Sequence, residues 1–135
     1  MRGSSAGRVV SIYSPALHSP NTASFLVASL LLPPPPSRVS PIKTLCGSDF
    51  LMWSGDDETG AEFVLKGGDG VISVSANCAP KAMSQIMKAA LDGDKSTVET
   101  LNSPLKAMHD KLFVESNPIP VKYAVAKMGY GHGIR

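Results

Sequence analysis

The hydrophobic and polar positions divide the chain into two parts near residue 40. Residues 1–41 contain nine serines and a run of four prolines, and their apolar side chains follow neither a helical nor a strand period. A segment of this composition buries too little apolar surface to offset its chain entropy. We therefore expect a disordered tail or a polyproline linker here.

After residue 49, two short apolar runs are typical of buried strands. Residues 50–54 (FLMWS) are followed by a polar GDD sequence, and residues 70–76 (GVISVSA) are rich in β-branched side chains. Between these runs, residues 58–66 predict a brief helix that Gly67 ends.

Three helical stretches follow the second run. Residues 80–91 carry apolar side chains at helical spacing, and residues 95–114 carry a second apolar stripe that Pro104 must kink or divide. Residues 120–127 predict a last helix. Strand, helix, strand and helix with connections this short predict parallel strands in an α/β architecture, followed by added helices.

Composition and charge exclude two classes of partner. With 43% apolar and 18% charged residues, the chain has the composition of a soluble globular domain. Residues 46–135 hold nine basic against eleven acidic side chains, which does not favour nucleic acid as a partner. The apolar stretch 25–32 has eight residues, whereas a bilayer-spanning helix needs about 20, so we predict no membrane anchor.

The cysteines and histidines do not indicate a metal site. Cys46 and Cys78 lie 32 residues apart, with no CxxC pair and no histidine at metal-ligand spacing. Free thiols in a reducing compartment are favoured over a disulfide. We expect each of the dispersed His18, His109 and His132 to be a surface or packing residue, and we predict no metal and no cofactor.

Polar residues beside the strand runs are the remaining candidates for chemistry. The glycine-rich residues 67–70 precede a strand, whereas a phosphate loop follows one, so they predict a tight turn. Asp56, Asp57 and Glu58 follow a strand, which in a parallel barrel is the catalytic rim. Before any fold is considered, a helix-capping role for Asp57 is preferred.

Three segments together resemble the dihydrodipicolinate synthase family: residues 51–57 (LMWSGDD), 68–77 (GDGVISVSAN) and 111–122 (KLFVESNPIPVK). They occur in the family's order and spacing, and the resemblance covers residues 38–135. It implies strands seven and eight of a TIM (β/α)8 barrel with the helices after them. A complete barrel takes ~250 residues, so this is well under half.

Residues 1–37 match nothing in the family and form a separate predicted segment, the disordered tail. Their lack of acids and their arginines and serines match an organellar transit peptide. Translated non-coding sequence from a wrong gene model has the same composition. Both interpretations stay open, and so does the compartment: cytoplasm as in bacterial-type family members, or plastid or mitochondrion for a transit peptide.

The resemblance implies the condensation of pyruvate with aspartate semialdehyde, towards diaminopimelate and lysine. The family uses a strand-six lysine that forms an imine with pyruvate and a strand-five tyrosine that relays protons. Neither element is present here, and the alignment puts Lys66 and Lys122 at a helix end and in a late helix. We therefore predict no catalytic residue and an inactive chain.

The site residues that carry over by resemblance are few. Ile72 matches an isoleucine whose main chain contacts bound pyruvate, although a barrel-filling role explains it equally well. Gly55 and Asp56 match the strand-seven loop at the rim of the site. The implied partners are a pyruvate-type substrate and further copies of the chain, since family members are usually tetramers or dimers.

Two alternatives compete with a synthase fragment. Sialic acid lyases share the barrel and the Schiff-base chemistry. Glu58 matches a trait of these lyases, but the lyases have a serine at the position of Val74. The synthase interpretation is preferred. The second alternative is a short protein that keeps the fragment as a binding or oligomerisation module.

We also expect two strands without barrel neighbours to expose both sheet edges and the side chains of Val71, Ile72 and Val74.

Overall fold

A computed structural model of the chain describes residues 11–13, 36–48 and 50–130. Within these residues, three short strands are accompanied by six α-helices and three single turns of 3-10 helix, at Pro36–Arg38, Ser75–Asn77 and Ser103–Leu105. The strands are β1 (Ser11–Tyr13), β2 (Trp53–Ser54) and β3 (Gly70–Ser73). The helices are α1 (Val39–Cys46), α2 (Asp57–Leu65), α3 (Pro80–Leu91), α4 (Lys95–Asn102), α5 (Lys106–Lys111) and α6 (Ile119–Lys127).

The three strands form one sheet in the order β1-β3-β2. Strands β2 and β3 are parallel, with Trp53 opposite Gly70 and Ser54 opposite Val71, and α2 connects them. This confirms the predicted strand, helix and parallel strand. Both strands are shorter than the apolar runs that predicted them. The remaining residues of these runs, 50–52 and 74–76, are buried or half-buried but do not pair in the sheet.

Strand β1 lies within the segment for which we predicted disorder. It pairs with β3 in the antiparallel direction, with Ile12 opposite Ile72. The prediction for the rest of residues 1–37 lies almost wholly outside the described residues and stays a prediction. Helix α1 begins at Val39, inside the stretch 1–41. No apolar period is visible there because Val39 is the only buried residue of this helix.

The main core lies between β3 and the helices α1 to α4. Helix α3 contributes its predicted apolar stripe to this core, with Ile86 fully buried at its centre. Helix α2 packs closely on β3, since an added Cβ on Gly60 would lie 3.0 Å from Val71 Cγ2. The buried members of the main core are Val39, Met52, Ala61, Phe63, Val64, Val71, Met83, Ile86, Met87, Ala89, Ala90 and Val98.

A second, smaller core joins the end of β3 to the last helices. It consists of Val74, Leu112 and Val121. Val71 is buried in the main core and Val74 in the smaller one, so the expectation that their side chains are exposed was wrong. The expectation of two open edges was also wrong, because β1 covers one edge of β3. Ile72 is half-buried.

The predicted division at Pro104 is present. Helix α4 ends at Asn102, a 3-10 turn spans Ser103–Leu105, and α5 ends at Lys111. The helix predicted to reach residue 114 thus stops early, and residues 112–118 form turns and bends. None of the helices described is both long enough and apolar enough to cross a membrane.

Candidate functional site at the strand ends

The polar residues after β2 begin helix α2. Asp56 is the N-cap, and its Oδ2 accepts hydrogen bonds from the Thr59 N–H at 2.9 Å and from Thr59 Oγ1 at 2.6 Å. The prediction that Asp57 caps this helix was wrong by one residue. Extended backbone at Asp56 lets its side chain turn back over the free N–H groups, whereas Asp57 already lies within the helix.

Asp57 instead connects the two strand ends. Its side chain is buried, with 2% exposure, and its Oδ2 accepts hydrogen bonds from the N–H groups of Val74 at 2.9 Å and Ser75 at 2.8 Å. Two such donors and the N-terminus of α2 stabilise a carboxylate at this buried position. The loop after β3 is thereby held against the start of α2.

A second buried connection runs from that loop to α5. The Ser75 hydroxyl lies 2.7 Å from His109 Nδ1, and His109 Nε2 lies 3.0 Å from Asn102 Oδ1. An amide oxygen only accepts, so Nε2 carries the proton and donates to Asn102. Nδ1 then accepts from the hydroxyl of Ser75, which has no exposed surface and therefore cannot attack a substrate.

Burial lowers the pKa of the His109 imidazole from its usual 6.5. The carboxylates of Asp57, Asp56 and Glu58 act in the opposite direction, in that order of strength, and raise it. The neutral ring fits its hydrogen bonds, because a proton on Nδ1 would displace the Ser75 donor. As predicted, His109 is a packing residue; His18 and His132 lie outside the described residues.

The structure brings the predicted site residues together along one pair of strands. Gly55 and Asp56 directly follow Ser54, the last residue of β2, and Ile72 directly follows Val71, which lies opposite Ser54. Gly55, Asp56 and Ile72 are all half-buried. They lie at the carboxyl end of parallel strands, where α/β proteins place their ligands.

The lysines of the described residues are not placed for imine chemistry. Lys43 is half-buried and pairs with Asp69 at 3.2 Å, and every other one is exposed. Lys66 pairs with Glu62 at 2.8 Å on the surface of α2, and Lys122 lies on α6. A nucleophilic lysine needs a buried position that favours the neutral amine, and none of the lysines in the described residues is fully buried.

Sequence reasoning missed two polar connections. One is the Ser75–His109–Asn102 chain, whose members are too far apart along the sequence to form a recognisable motif. The other is Asp69, whose Oδ2 accepts from the Met52 N–H at 2.8 Å while its own N–H donates to the Met52 carbonyl. The glycine-rich turn around Asp69 was the only available signal for the second.

A groove of about 560 Å³ lies between α5 and α6, and none of the predicted site residues lines it. Most of its lining is apolar, which does not suit a charged keto acid. The lining residues are Met108, Lys111, Leu112, Val114, Glu115, Ile119, Pro120, Tyr123 and Ala124.

Comparison with known proteins gives one consistent family. The model of the Dihydrodipicolinate synthetase family matches residues 35–134. The chain is 52% identical over 92 residues to the 4-hydroxy-tetrahydrodipicolinate synthase of Methylococcus capsulatus, which is 68% of this chain and 32% of the relative. It is 51% identical over 94 residues to the 4-hydroxy-tetrahydrodipicolinate synthase of Idiomarina loihiensis, which is 70% of this chain and 32% of that relative.

Solved structures agree. A dihydrodipicolinate synthase from Acinetobacter baumannii, complexed with pyruvate, superimposes with a TM-score of 0.68 at 45% identity, covering 73% of this chain and 34% of that one. The synthase from Aquifex aeolicus superimposes with a TM-score of 0.72 at 36% identity, covering 77% and 36%. The chain thus spans about a third of the length of these relatives.

Proposed function

Because the chain belongs to the dihydrodipicolinate synthetase family, we propose that it is the closing part of a dihydrodipicolinate-synthase-like barrel and is inactive by itself. In this proposal β2 and β3 are strands seven and eight, and residues 38–135 form the barrel part. Residues 1–37 are a separate tail. The complete enzyme would condense pyruvate with aspartate semialdehyde.

The observation that carries this proposal is the pair of parallel strands, with Ser54 opposite Val71, in a chain that spans about a third of the length of its relatives. Parallel strands joined by one helix are the repeating unit of a (β/α)8 barrel, and two such strands cannot close a barrel. The names of the relatives support a synthase over a sialic acid lyase.

Ile72, Gly55 and Asp56 would then border the pyruvate site once the missing strands are supplied. The position of the half-buried Ile72 near the carboxyl end of β3 supports this role, because N–H groups at a strand end can bind a carboxylate. Asp56 would act indirectly, since both of its described side-chain hydrogen bonds go to Thr59.

Inactivity follows from the chemistry of the imine. An amine must be unprotonated to attack the carbonyl of pyruvate, and the resulting iminium then withdraws electrons from the methyl group. A buried position favours the neutral amine over its charged form. The described lysines are exposed, apart from the half-buried and ion-paired Lys43.

Trapping with borohydride tests the proposal. The full chain is incubated with pyruvate and borohydride beside a complete family member, and intact masses are measured. We expect a single stoichiometric adduct on the complete enzyme and none on this chain. A one-site adduct that disappears in Lys66→Arg or Lys122→Arg would overturn the proposal.

A further inference from the structure

Strand β1 comes from outside the family-like part of the chain. The family match begins at residue 35, whereas β1 is Ser11–Tyr13. It nevertheless pairs with β3 along three residues, with Ser11 opposite Ser73 and Tyr13 opposite Val71. The relatives therefore do not account for the strand that covers this edge.

The direction of β1 makes its position informative. It runs antiparallel to β3, whereas β2 on the other edge runs parallel. In a closed barrel of this family, each strand has a parallel neighbour on both edges. An antiparallel strand uses a different hydrogen-bond pattern on the same backbone groups, so it and a barrel neighbour cannot occupy the edge together.

We propose that Ser11–Tyr13 is a guard strand: it closes the edge of β3 within the same molecule, and an extended strand from a second molecule pairs there only after it is released. The second molecule is another copy of this chain, whose own β3 edge is open once its guard strand is released. The inference does not rest on the proposed function.

Two physical properties suit the guard strand to this role. An uncovered strand edge is a template for pairing with other chains, so covering it limits aggregation. Covalent connection through residues 14–35 makes the pairing intramolecular, and a competing strand must exceed an effective concentration in the ~mM range. With only three paired residues, however, the guard strand is short enough to be displaced.

Proline substitution in the full chain tests the inference. Successive N–H groups of a strand point to opposite edges, so Ile12→Pro with Tyr13→Pro removes at least one N–H that faces β3. The matched control is Thr22→Pro with Ala23→Pro, which makes the same change outside the strand. Hydrogen exchange of a peptide containing Gly70–Ser73 is measured by mass spectrometry, and self-association by sedimentation.

We expect exchange in Gly70–Ser73 to become about tenfold faster or more in the guard variant, with exchange in Pro80–Leu91 unchanged. The variant should also self-associate at lower concentration than the native chain and the control. Unchanged exchange in β3 would overturn the inference. So would equal loss of protection in Pro80–Leu91, which would make β1 part of the core.

Faster exchange without increased self-association would also overturn the guarding role. A pyruvate adduct on the native chain, by contrast, would contradict only the proposed function, because neither exchange nor sedimentation depends on the chemistry of lysine.

Discussion

Asp57 is the residue on which the junction of the two strand ends depends. We expect Asp57→Ala to lower the free energy of unfolding by about 3 kcal/mol, because it leaves the buried N–H groups of Val74 and Ser75 without an acceptor, at ~1–3 kcal/mol each. Urea denaturation measures the change. The control is Glu58→Ala at the exposed neighbouring position, where the loss should stay below about 1 kcal/mol. Equal losses in the two variants would contradict the role of Asp57.

His109 makes the stability of the chain depend on pH. Its pKa is lower in the folded chain than the usual 6.5, so the unfolded chain takes up the proton at higher pH. The contribution of neutral His109 is therefore complete above pH 6.5 and is lost as the pH falls towards the folded pKa. The carboxylates of Asp57, Asp56 and Glu58 facing the ring limit the loss.

The measurement for His109 is the urea midpoint of the native chain and of His109→Gln over a series of pH values. Glutamine cannot titrate, so the native chain should lose stability more steeply than the variant from about pH 7 to about pH 5. Two parallel curves would show that the pKa of His109 does not differ between the folded and unfolded states.

At the scale of the elements, the turn between α2 and β3 is closely packed against α2. A Cβ on Gly68 would overlap ring carbons Cδ1 and Cε1 of Phe63, which is 3% exposed. We expect Gly68→Ala to destabilise the chain by about 1–3 kcal/mol, because the ring must move within a packed core. The predicted tight turn thus has a packing reason as well as a conformational one.

A double-mutant cycle with Phe63→Leu separates the overlap from other effects of the alanine. Leucine lacks the overlapping ring atoms, so the double variant should lose less stability than the sum of the two single variants. Additive losses would mean that the overlap with Phe63 is not the cause.

In the whole molecule, two separate cores predict two levels of stability. Ile86 is fully buried in the main core, and Val121, on α6, is buried in the smaller core. We expect Ile86→Ala to cost about 2–5 kcal/mol and to speed hydrogen exchange throughout the described helices. Val121→Ala should speed exchange mainly in residues 112–130. Equal effects of Val121→Ala on Pro80–Leu91 would indicate a single cooperative unit.

The elements were predictable because their signals are local. The β-branched run at β3 and the apolar stripe of α3 each report which side of an element is buried. Helix α3 has its predicted bounds, and β3 begins at the predicted residue but ends earlier, at Ser73. Strand β1 escaped prediction because three residues are too short to show a period. Helix α1 shows no period of its own either, because only one of its eight residues is buried.

The sequence by itself determined the family, the parallel strands and the prediction that no lysine is placed for imine chemistry, since these follow from residue order and local pattern. Only the tertiary structure decided that Asp56 caps α2 while Asp57 binds the loop after β3. It also decided that the Ser75 hydroxyl forms a hydrogen bond with His109, and that β1 pairs with an edge of β3. The physical reason is that a hydrogen-bonding group accepts any suitable partner, and the partner is chosen by how distant segments pack.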